Sequence, residues 1–497
     1  MTRTILIIGA GIGGIASAAR LAKAGYDVTV VEKTERPGGR TSVIAEEGFF
    51  FDTGPSLFLM PPTFRETYAA LGERMEDHLD LVRIDPTYRV HFHDETILDL
   101  GSNMHHLQEQ FDALEPGAFG ALLRFLTQGY RRYYESLDRF VGRNFYNLLD
   151  FFAPANLPLL FSLKPLVSHY RDTSRYFKDA RLRAGLSFQN MYLGLSPYSA
   201  PATYTLLQFT EMVEGVWYPR QGMYAIIKSL ADIAAGFGAK FHYNAPVKRI
   251  DVNGDRATGV TLENGEQLKA DILIANADLP YVYRELLPDA APAARMERLK
   301  YTSSTLMFYW GVKGPRAKEL LHHNIFLSDH QYRESFAQIF DEHSLPAEPS
   351  FYIHAPVRTV PEFAPADCDG LMVLVPTGHL DAGHPQDWSA LQAQAKAWVF
   401  KRLAAIGLDN IEKNIVFERT LTPPDYSRIW NLAKGATFGL SHNVFQVGYL
   451  RPHNRHSQYK NLYFSGASTH PGTGLPIVLI SAKLIEERIR KEQPAPK

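Results

Sequence analysis

Two glycine-bearing segments at opposite ends of the 497-residue chain carry residue types suited to gripping a phosphorylated ligand. Near the start, Gly9, Gly11 and Gly14 stand in the spacing Gly-x-Gly-x-x-Gly, and Glu32 closes the apolar run that follows. In that pattern Gly9 makes a tight turn, Gly11 lets backbone approach a pyrophosphate, Gly14 lets helix pack on strand, and Glu32 accepts both ribose hydroxyls of an adenosine. A carboxylate would repel a 2′-phosphate, so the pattern favours FAD or NAD over NADP. Near the end, Gly466, Gly472 and Gly474 permit close backbone approach, and Pro476 suits a first helical position. Free N–H groups at such a helix start favour electron-rich oxygens, of a phosphate or a ring carbonyl.

The elements that must position these residues are legible beside them. Thr4–Ile8 reads as a buried strand, the stretch from Ile15 to Gly25 as a helix, and Asp27–Val31 as a second strand ending at Glu32 and Lys33. Leu462–Phe464 reads as a strand leading into the second glycine loop. Beyond Glu32, Gly39 and Arg40 follow in Glu35-Arg-Pro-Gly-Gly-Arg40, where Arg40 could pair with a pyrophosphate. Phe49–Asp52 then brings an apolar strand into a second tight turn at Gly54, Pro55 and Ser56.

This succession of fingerprint, acidic residue, Gly-Gly-Arg and Asp-x-Gly-Pro resembles the flavoprotein amine oxidase and carotenoid desaturase superfamily. The resemblance implies FAD, a backbone contact from Val247 to the adenine, and a strand through Asn276 leading out of the cofactor domain. It extends the cofactor assignment to Gly466, Gly474, Leu475 and Pro476. Met191 to Gln208, Gly215 to Pro219, Phe351 to Pro356 and Arg451 to Arg455 look like segments of carotenoid (phytoene-type) desaturases. The Met191 and Trp217 regions look most like the fungal-type enzymes, and the Gly466-to-Leu475 loop also resembles the C30 diapophytoene enzymes. Gln221 departs from the family pattern, which has a glycine there, and the hydrophobic C-terminal extension of fungal members is absent; a bacterial origin or purely peripheral membrane attachment is therefore expected.

The implied fold class is α/β: a discontinuous, two-part Rossmann-type FAD-binding domain with an inserted α+β substrate domain. The expected division is 1–100 and 221–285 for the two FAD parts, and 101–220 for a helical, aromatic-rich substrate or membrane-facing region. Residues 286–445 complete the substrate domain, 446–490 form a C-terminal FAD segment, and 491–497 a tail. Asn253-Gly254 and Asn264-Gly265 predict hairpin turns, and the spacing from Tyr224 predicts an amphipathic helix.

With 45% hydrophobic and 21% charged residues, the chain can bury a substantial core. One cysteine, Cys368, excludes an internal disulfide and thiolate metal clusters and reads as a structural thiol. The net charge of −1 favours neither nucleic acid nor an acidic surface globally. Between Arg124 and Arg183, however, eleven Lys/Arg stand against five Asp/Glu amid many aromatics. That texture suits a membrane interface or a core helix with a solvated basic face, and no RNA-recognition motif accompanies it. No apolar run is long enough to span a bilayer, so a cytoplasmic, peripherally membrane-associated protein is expected.

The resemblance also implies the reaction. A hydride leaves an allylic carbon for flavin N5, the cation spreads over the polyene, and the neighbouring carbon loses a proton. That cation acidifies the proton, so a strong base is unnecessary; His470 in the second glycine loop is the one weak catalytic candidate, with a structural role favoured. His453, near Arg451 and Arg455, is a weaker candidate still, with a surface role or one supporting a site residue as its default, and His105-His106 and His322-His323 lack metal spacing with partners. A long apolar carotenoid is the implied substrate and a quinone or dioxygen the implied electron acceptor. A carotenoid isomerase, a carotenoid terminal oxidase or a non-catalytic isoprenoid-binding escort protein would share much of the pattern.

Overall fold

The structure, a computed structural model, describes residues 2–494. Thr4–Ile8 lies at the centre of a five-stranded, wholly parallel sheet. Across the sheet the order is Leu462–Phe464, Ile272–Ala275, Thr4–Ile8, Asp27–Val31 and Lys240–His242. A parallel sheet is covered on both faces, and the alternation along the central strand shows how. Ile5 and Ile7 enter one apolar core with the helix Ile12–Lys23, whereas Leu6 and Ile8 enter another with Val247, Ile250 and Val260. On the first face, Tyr224–Gly236 and Leu475–Glu492 pack beside Ile12–Lys23. On the second lies a three-stranded antiparallel sheet, Val247–Asn253, Arg256–Leu262 and Gln267–Lys269, with the expected turns at Gly254 and Gly265. This is the expected α/β cofactor fold, assembled from segments far apart in the chain.

The second body is built on a seven-stranded, mostly antiparallel sheet. Its order is Ile415–Leu421, Ser304–Lys313, Cys368–Thr377, Phe351–His354, His323–Phe326, Tyr88–His91 and Ile97–Leu100. Ser304–Lys313 is buried at every position except Lys313, as a strand paired on both edges and covered on both faces must be. Pairing corrects the expected boundary at residue 100. Tyr88–His91 runs parallel to His323–Phe326 and therefore belongs to this sheet, not to the first cofactor segment. Leu81–Ile84 likewise pairs with Val216–Pro219. Local pattern marks such stretches as strands but carries no information about a partner more than a hundred residues away. The expected tail begins later than residue 491, because the last helix runs to Glu492; residues 495–497 lie outside the described residues.

The intervening region is helical, led by Ala118–Ser136 and followed by short helices, among them Leu148–Phe151, Leu157–Ser162 and His169–Thr173. Its basic residues are not all solvated. Arg132 and Asp172 are fully buried and pair at 2.8 Å, with Lys164 2.9 Å and Arg175 3.5 Å from the same carboxylate. Arg132 also donates to the Ala202 carbonyl at 2.7 Å and to Thr205 Oγ1 at 2.8 Å, stapling the long helix to the segment that follows it. Removing one partner of a buried pair leaves an uncompensated charge. Arg132→Met is expected to destabilise the protein by about 3 kcal/mol in urea unfolding. Arg175→Ala, at an exposed position, should cost under about 1 kcal/mol; equal effects would refute the distinction.

Candidate functional site

The two glycine loops meet at one side chain. Asn276 follows the strand Ile272–Ala275, which lies between the strands leading into the two loops. A Cβ added to Gly9 would lie 2.5 Å from the Asn276 carbonyl oxygen, one on Gly11 2.9 Å from Asn276 Oδ1, and one on Gly13 2.7 Å from Asn276 Nδ2. On Gly14 it would lie 2.1 Å from the Gly9 carbonyl oxygen, the helix-to-turn approach the fingerprint requires. On the other side, Asn276 Nδ2 donates to the Ser465 carbonyl at 3.0 Å, at the mouth of the second loop. Asn276 Oδ1 and Ser465 Oγ are both buried without a protein partner.

Glu32 is buried at the end of its strand, accepting from the Ala10 N–H at 2.7 Å and from the Thr34 N–H at 3.0 Å. Gly39 has a φ of +57°, and a Cβ added to it would lie 3.7 Å from the Gly11 Cα, so the Gly-Gly-Arg turn lies against the first loop. Arg40 donates to the Thr437 carbonyl at 2.7 Å and lies in the field of Asp278, which opposes the downward pull of burial on its pKa. Asp278 in turn accepts from Ser468 Oγ at 2.7 Å and from the Ala433 N–H at 2.9 Å. Lys33 sends its ammonium to Asn431 Oδ1 at 2.9 Å, at the C-terminal end of the helix Pro423–Trp430. Val247 is buried where its strand begins, one residue after Pro246 and near Glu32, whose carbonyl accepts from the Ala245 N–H at 2.8 Å.

In the Asp52-to-Ser56 turn, Asp52 accepts from the Tyr218 hydroxyl at 2.6 Å and from the Met223 N–H at 3.1 Å, bracing the start of the helix Tyr224–Gly236. Burial pushes its carboxyl up to about 6 despite these bonds. Gly54 approaches the Arg40 carbonyl so closely that a Cβ would lie 2.5 Å from it, and Pro55 leads to Ser56, bonded to Tyr352 at 2.8 Å. Gln221 is exposed, and its side chain accepts from the Asp80 N–H at 3.3 Å. The glycine this turn needs is the next residue, Gly222, at φ +83°, where a Cβ would lie 2.6 Å from the Phe50 ring.

The C-terminal loop is held by Arg451, which is 1% exposed. Its guanidinium donates to the carbonyls of Thr469 at 3.0 Å, Ser441 at 3.1 Å, Gln446 at 2.9 Å and Leu440 at 3.3 Å, and to that of Ala467. Burial pushes its pKa down to about 10, which leaves it cationic at neutral pH. Gly466 has φ +127° and Gly474 φ +105°, and the helix starts at Leu475, so Pro476 occupies the second helical position and not the first. His442 Nε2 accepts from the Thr473 N–H at 3.1 Å. His470 donates Nε2–H to the Arg143 carbonyl at 3.0 Å, and burial pushes it down to about 4. It is therefore a neutral imidazole spent on holding the Arg143 segment, although its Nδ1 has no protein partner. His453 is exposed.

Two features had no motif to announce them. Tyr192, Tyr204 and Tyr352 are only half-buried, yet burial drives each phenol well above its usual range. Glu211 is 1% exposed and pushed well above the carboxylate range by burial, so it is a neutral acid. The fold also supplies the neighbour that His322-His323 lacked in sequence: His354 comes within 3.0 Å of His322.

The model of a family described as flavin containing amine oxidoreductase matches residues 12–364. A zeta-carotene-forming phytoene desaturase of Myxococcus xanthus is 48% identical over 490 residues, spanning 98% of this chain and 94% of that one. A 4,4'-diapophytoene desaturase (4,4'-diaponeurosporene-forming) of Staphylococcus aureus is 33% identical over 504 residues, spanning 98% and 99%. The chain belongs to the flavin-containing amine oxidoreductases, among the carotenoid desaturases. It is an FAD-dependent oxidoreductase. In fold alone it is also similar to a putrescine oxidase, with a TM-score of 0.66 at 15% identity over 98% of this chain and 99% of that one.

The residues present fit FAD. The helix Ile12–Lys23 begins at Gly11 and the helix Leu475–Glu492 at Gly474, neither with a side-chain cap, which leaves first-turn N–H groups for ligand oxygens. The orphaned Asn276 Oδ1 and Ser465 Oγ lie where the two loops meet. In this flavoprotein Arg451 does not itself reach the glycines of the first loop, so its contribution is testable apart from theirs. Arg451→Met would remove a donor from five carbonyls, of which that of Ser441 keeps the Gln446 amide, at about 1–3 kcal/mol for each left dry and unpaired. The expected outcome is a loss of at least about 3 kcal/mol and a flavin content reduced tenfold or more; Arg451→Lys, with fewer donors, should fall between. Full flavin content in the methionine variant, read from its absorption spectrum, would refute this role.

Proposed function

We propose that this chain introduces double bonds into a long linear polyene of the phytoene type, C40 or its C30 analogue, with FAD seated between the Gly9–Gly14 loop and the Gly466–Pro476 loop. The observation that carries the reading is the meeting of both loops at Asn276, where Asn276 Oδ1 and Ser465 Oγ are buried without a protein partner. Bound FAD supplies a hydride acceptor for an allylic carbon. Glu32 would bind the adenosine ribose, and the N–H groups opening Ile12–Lys23 would bind the pyrophosphate. Val247 would serve the adenine with its backbone, and Leu475 and Pro476 would line the flavin side. Arg40, turned toward Thr437 and Asp278, would steady the 433–440 segment more than the pyrophosphate. Tyrosine ring faces would favour the positive charge developing on the polyene while their apolar bodies exclude water. A quinone or dioxygen would take the electrons onward.

The apolar substrate also explains an exposed surface. Leu149, Phe161 and Leu166 are 81, 81 and 84% exposed, and Phe445 on a neighbouring segment is 75% exposed. Phe151 packs on Gly448, joining the two segments into one patch. The Arg143 guanidinium lies 5.4 Å from the Phe145 ring and Lys491 4.1 Å from the Tyr146 ring, so cations flank it. No helix among the described residues is long and apolar enough to cross a membrane. We propose that this patch rests on an anionic bilayer and receives substrate from it.

The assay is the FAD-loaded protein with phytoene or diapophytoene in liposomes, followed by product absorption. Bands moving to longer wavelength as conjugated double bonds are added support desaturation. Altered cis/trans composition with unchanged conjugation would favour an isomerase, and no change with either polyene would overturn the reading. Leu149→Glu with Phe161→Glu should lower co-sedimentation with anionic liposomes about tenfold or more while leaving the flavin spectrum unchanged. Undiminished sedimentation would remove the patch from membrane binding.

A further inference from the structure

A cluster of three histidines lies in the substrate sheet, apart from the cofactor loops. His323 opens the strand His323–Phe326 and stands directly opposite His354 in the antiparallel register; His322 precedes it. Their exposures are 4% for His322, 0% for His323 and 1% for His354. Ring centroids are 4.4 Å apart for His322 and His323, 4.8 Å for His322 and His354, and 5.4 Å for His323 and His354. One ring nitrogen from each lies within 4.8 Å of the others.

Hydroxyl neighbours order the rings. His322 Nδ1 is 2.6 Å from Thr359 Oγ1, and His323 Nδ1 is 2.7 Å from the Tyr352 hydroxyl, which is itself bonded to Ser56 at 2.8 Å. With both Nδ1–H groups donating to those oxygens, the lone pairs of His322 and His323 sit on Nε2. His354 Nε2 meets His322 Nε2 at 3.0 Å, whereas His323 Nε2 is buried with no partner at all. An imidazole nitrogen left dry and unpaired is destabilising, and hydrogen bonding within the cluster does not relieve it.

We propose that His322, His323 and His354 bind one divalent first-row transition metal of the zinc or cobalt type, each through Nε2. Three neutral imidazoles without carboxylate or thiolate suit such an ion and disfavour magnesium or calcium. Thr359 and Tyr352 fill the orienting role that hydrogen-bond acceptors play on the far nitrogen of metal-bound histidines. The buried Asp52 accepts from the Tyr218 hydroxyl at 2.6 Å, and the Tyr218 ring lies 4.8 Å from His322 and 5.4 Å from His354. The ion would thus pin the substrate sheet to the Asp52-to-Ser56 turn. Three protein ligands leave a fourth position open. The proposal stands independently of which polyene the enzyme takes.

The test uses the full-length FAD-loaded enzyme, with cobalt supplied both during expression and to the chelator-treated protein, because entry to a buried site is slow. The expected result is one bound Co²⁺ per chain, ligand-field bands in the visible, and X-ray absorption showing three imidazole nitrogens. The exposed group His93, His330 and Glu348 is the competing binder on the same chain. His330→Asn should leave the bound cobalt in place, and His323→Gln should abolish it. Thr359→Val, which keeps all three ligands, should weaken binding about 10–100-fold. Folding of each variant is checked by circular dichroism. The proposal is overturned if folded wild type retains no cobalt by either route, if X-ray absorption shows fewer imidazoles, or if only His330→Asn loses the metal.

Discussion

One contact determines how the rest of the chain must be arranged: Asn276 packed across the turn Gly9–Gly14 and bonded to the Ser465 carbonyl. Because the strand Ile272–Ala275 separates Thr4–Ile8 from Leu462–Phe464, neither glycine loop touches the other until this strand is in place. The glycines are small for two reasons at once. Gly9 and Gly14 must clear backbone, while Gly11 and Gly13 must clear the asparagine side chain, with Ser465 and Val478 also pressing on Gly13. A dinucleotide fingerprint is usually explained by its ligand; here the protein's own middle strand already forbids larger residues.

The second constraint comes from the C-terminal side. Backbone that runs through a loop inside the protein must place its carbonyls somewhere, and the 440–446 and 467–469 segments place theirs on Arg451. Asp278 repeats the idea with the opposite charge, accepting from Ser468 and the Ala433 N–H. A buried cation satisfied by carbonyls and a buried anion satisfied by N–H and O–H groups hold the second loop from two directions. Both groups keep the loop's shape without occupying the space between the loops.

How much of this could be read beforehand follows from the range of the interactions. The strand–turn–helix at Thr4 to Lys23 and the loop from Ser465 to Pro476 are specified by neighbours in sequence, and the fold reproduces both. Asp52 was visible as part of a motif, but its work, receiving Tyr218 and the start of a helix far along the chain, was not. Tyr88–His91 reads locally as a strand after the cofactor segment, yet its register is set by His323–Phe326. Arg451, Asp278, Glu211 and His354 owe their roles to burial and to partners brought in by topology, which no spacing encodes. Lys33 illustrates the converse: adjacent to Glu32, it turns away to Asn431.

The same reasoning bears on proton removal. Around the second loop, His442 and His470 are buried and each has one ring nitrogen engaged, His442 accepting from Thr473 and His470 donating to Arg143. Burial drives both below the usual imidazole range, which makes each a neutral and weak base, and the bonds they make serve the backbone. Glu211, a buried acid, is held neutral and thus withheld as a base. An enzyme that takes electrons from an amine can use a fold like this one, as the likeness to a putrescine oxidase illustrates, so the fold does not choose the reaction. A substrate cation that acidifies its own neighbouring C–H would need π faces and dryness more than it would need a carboxylate.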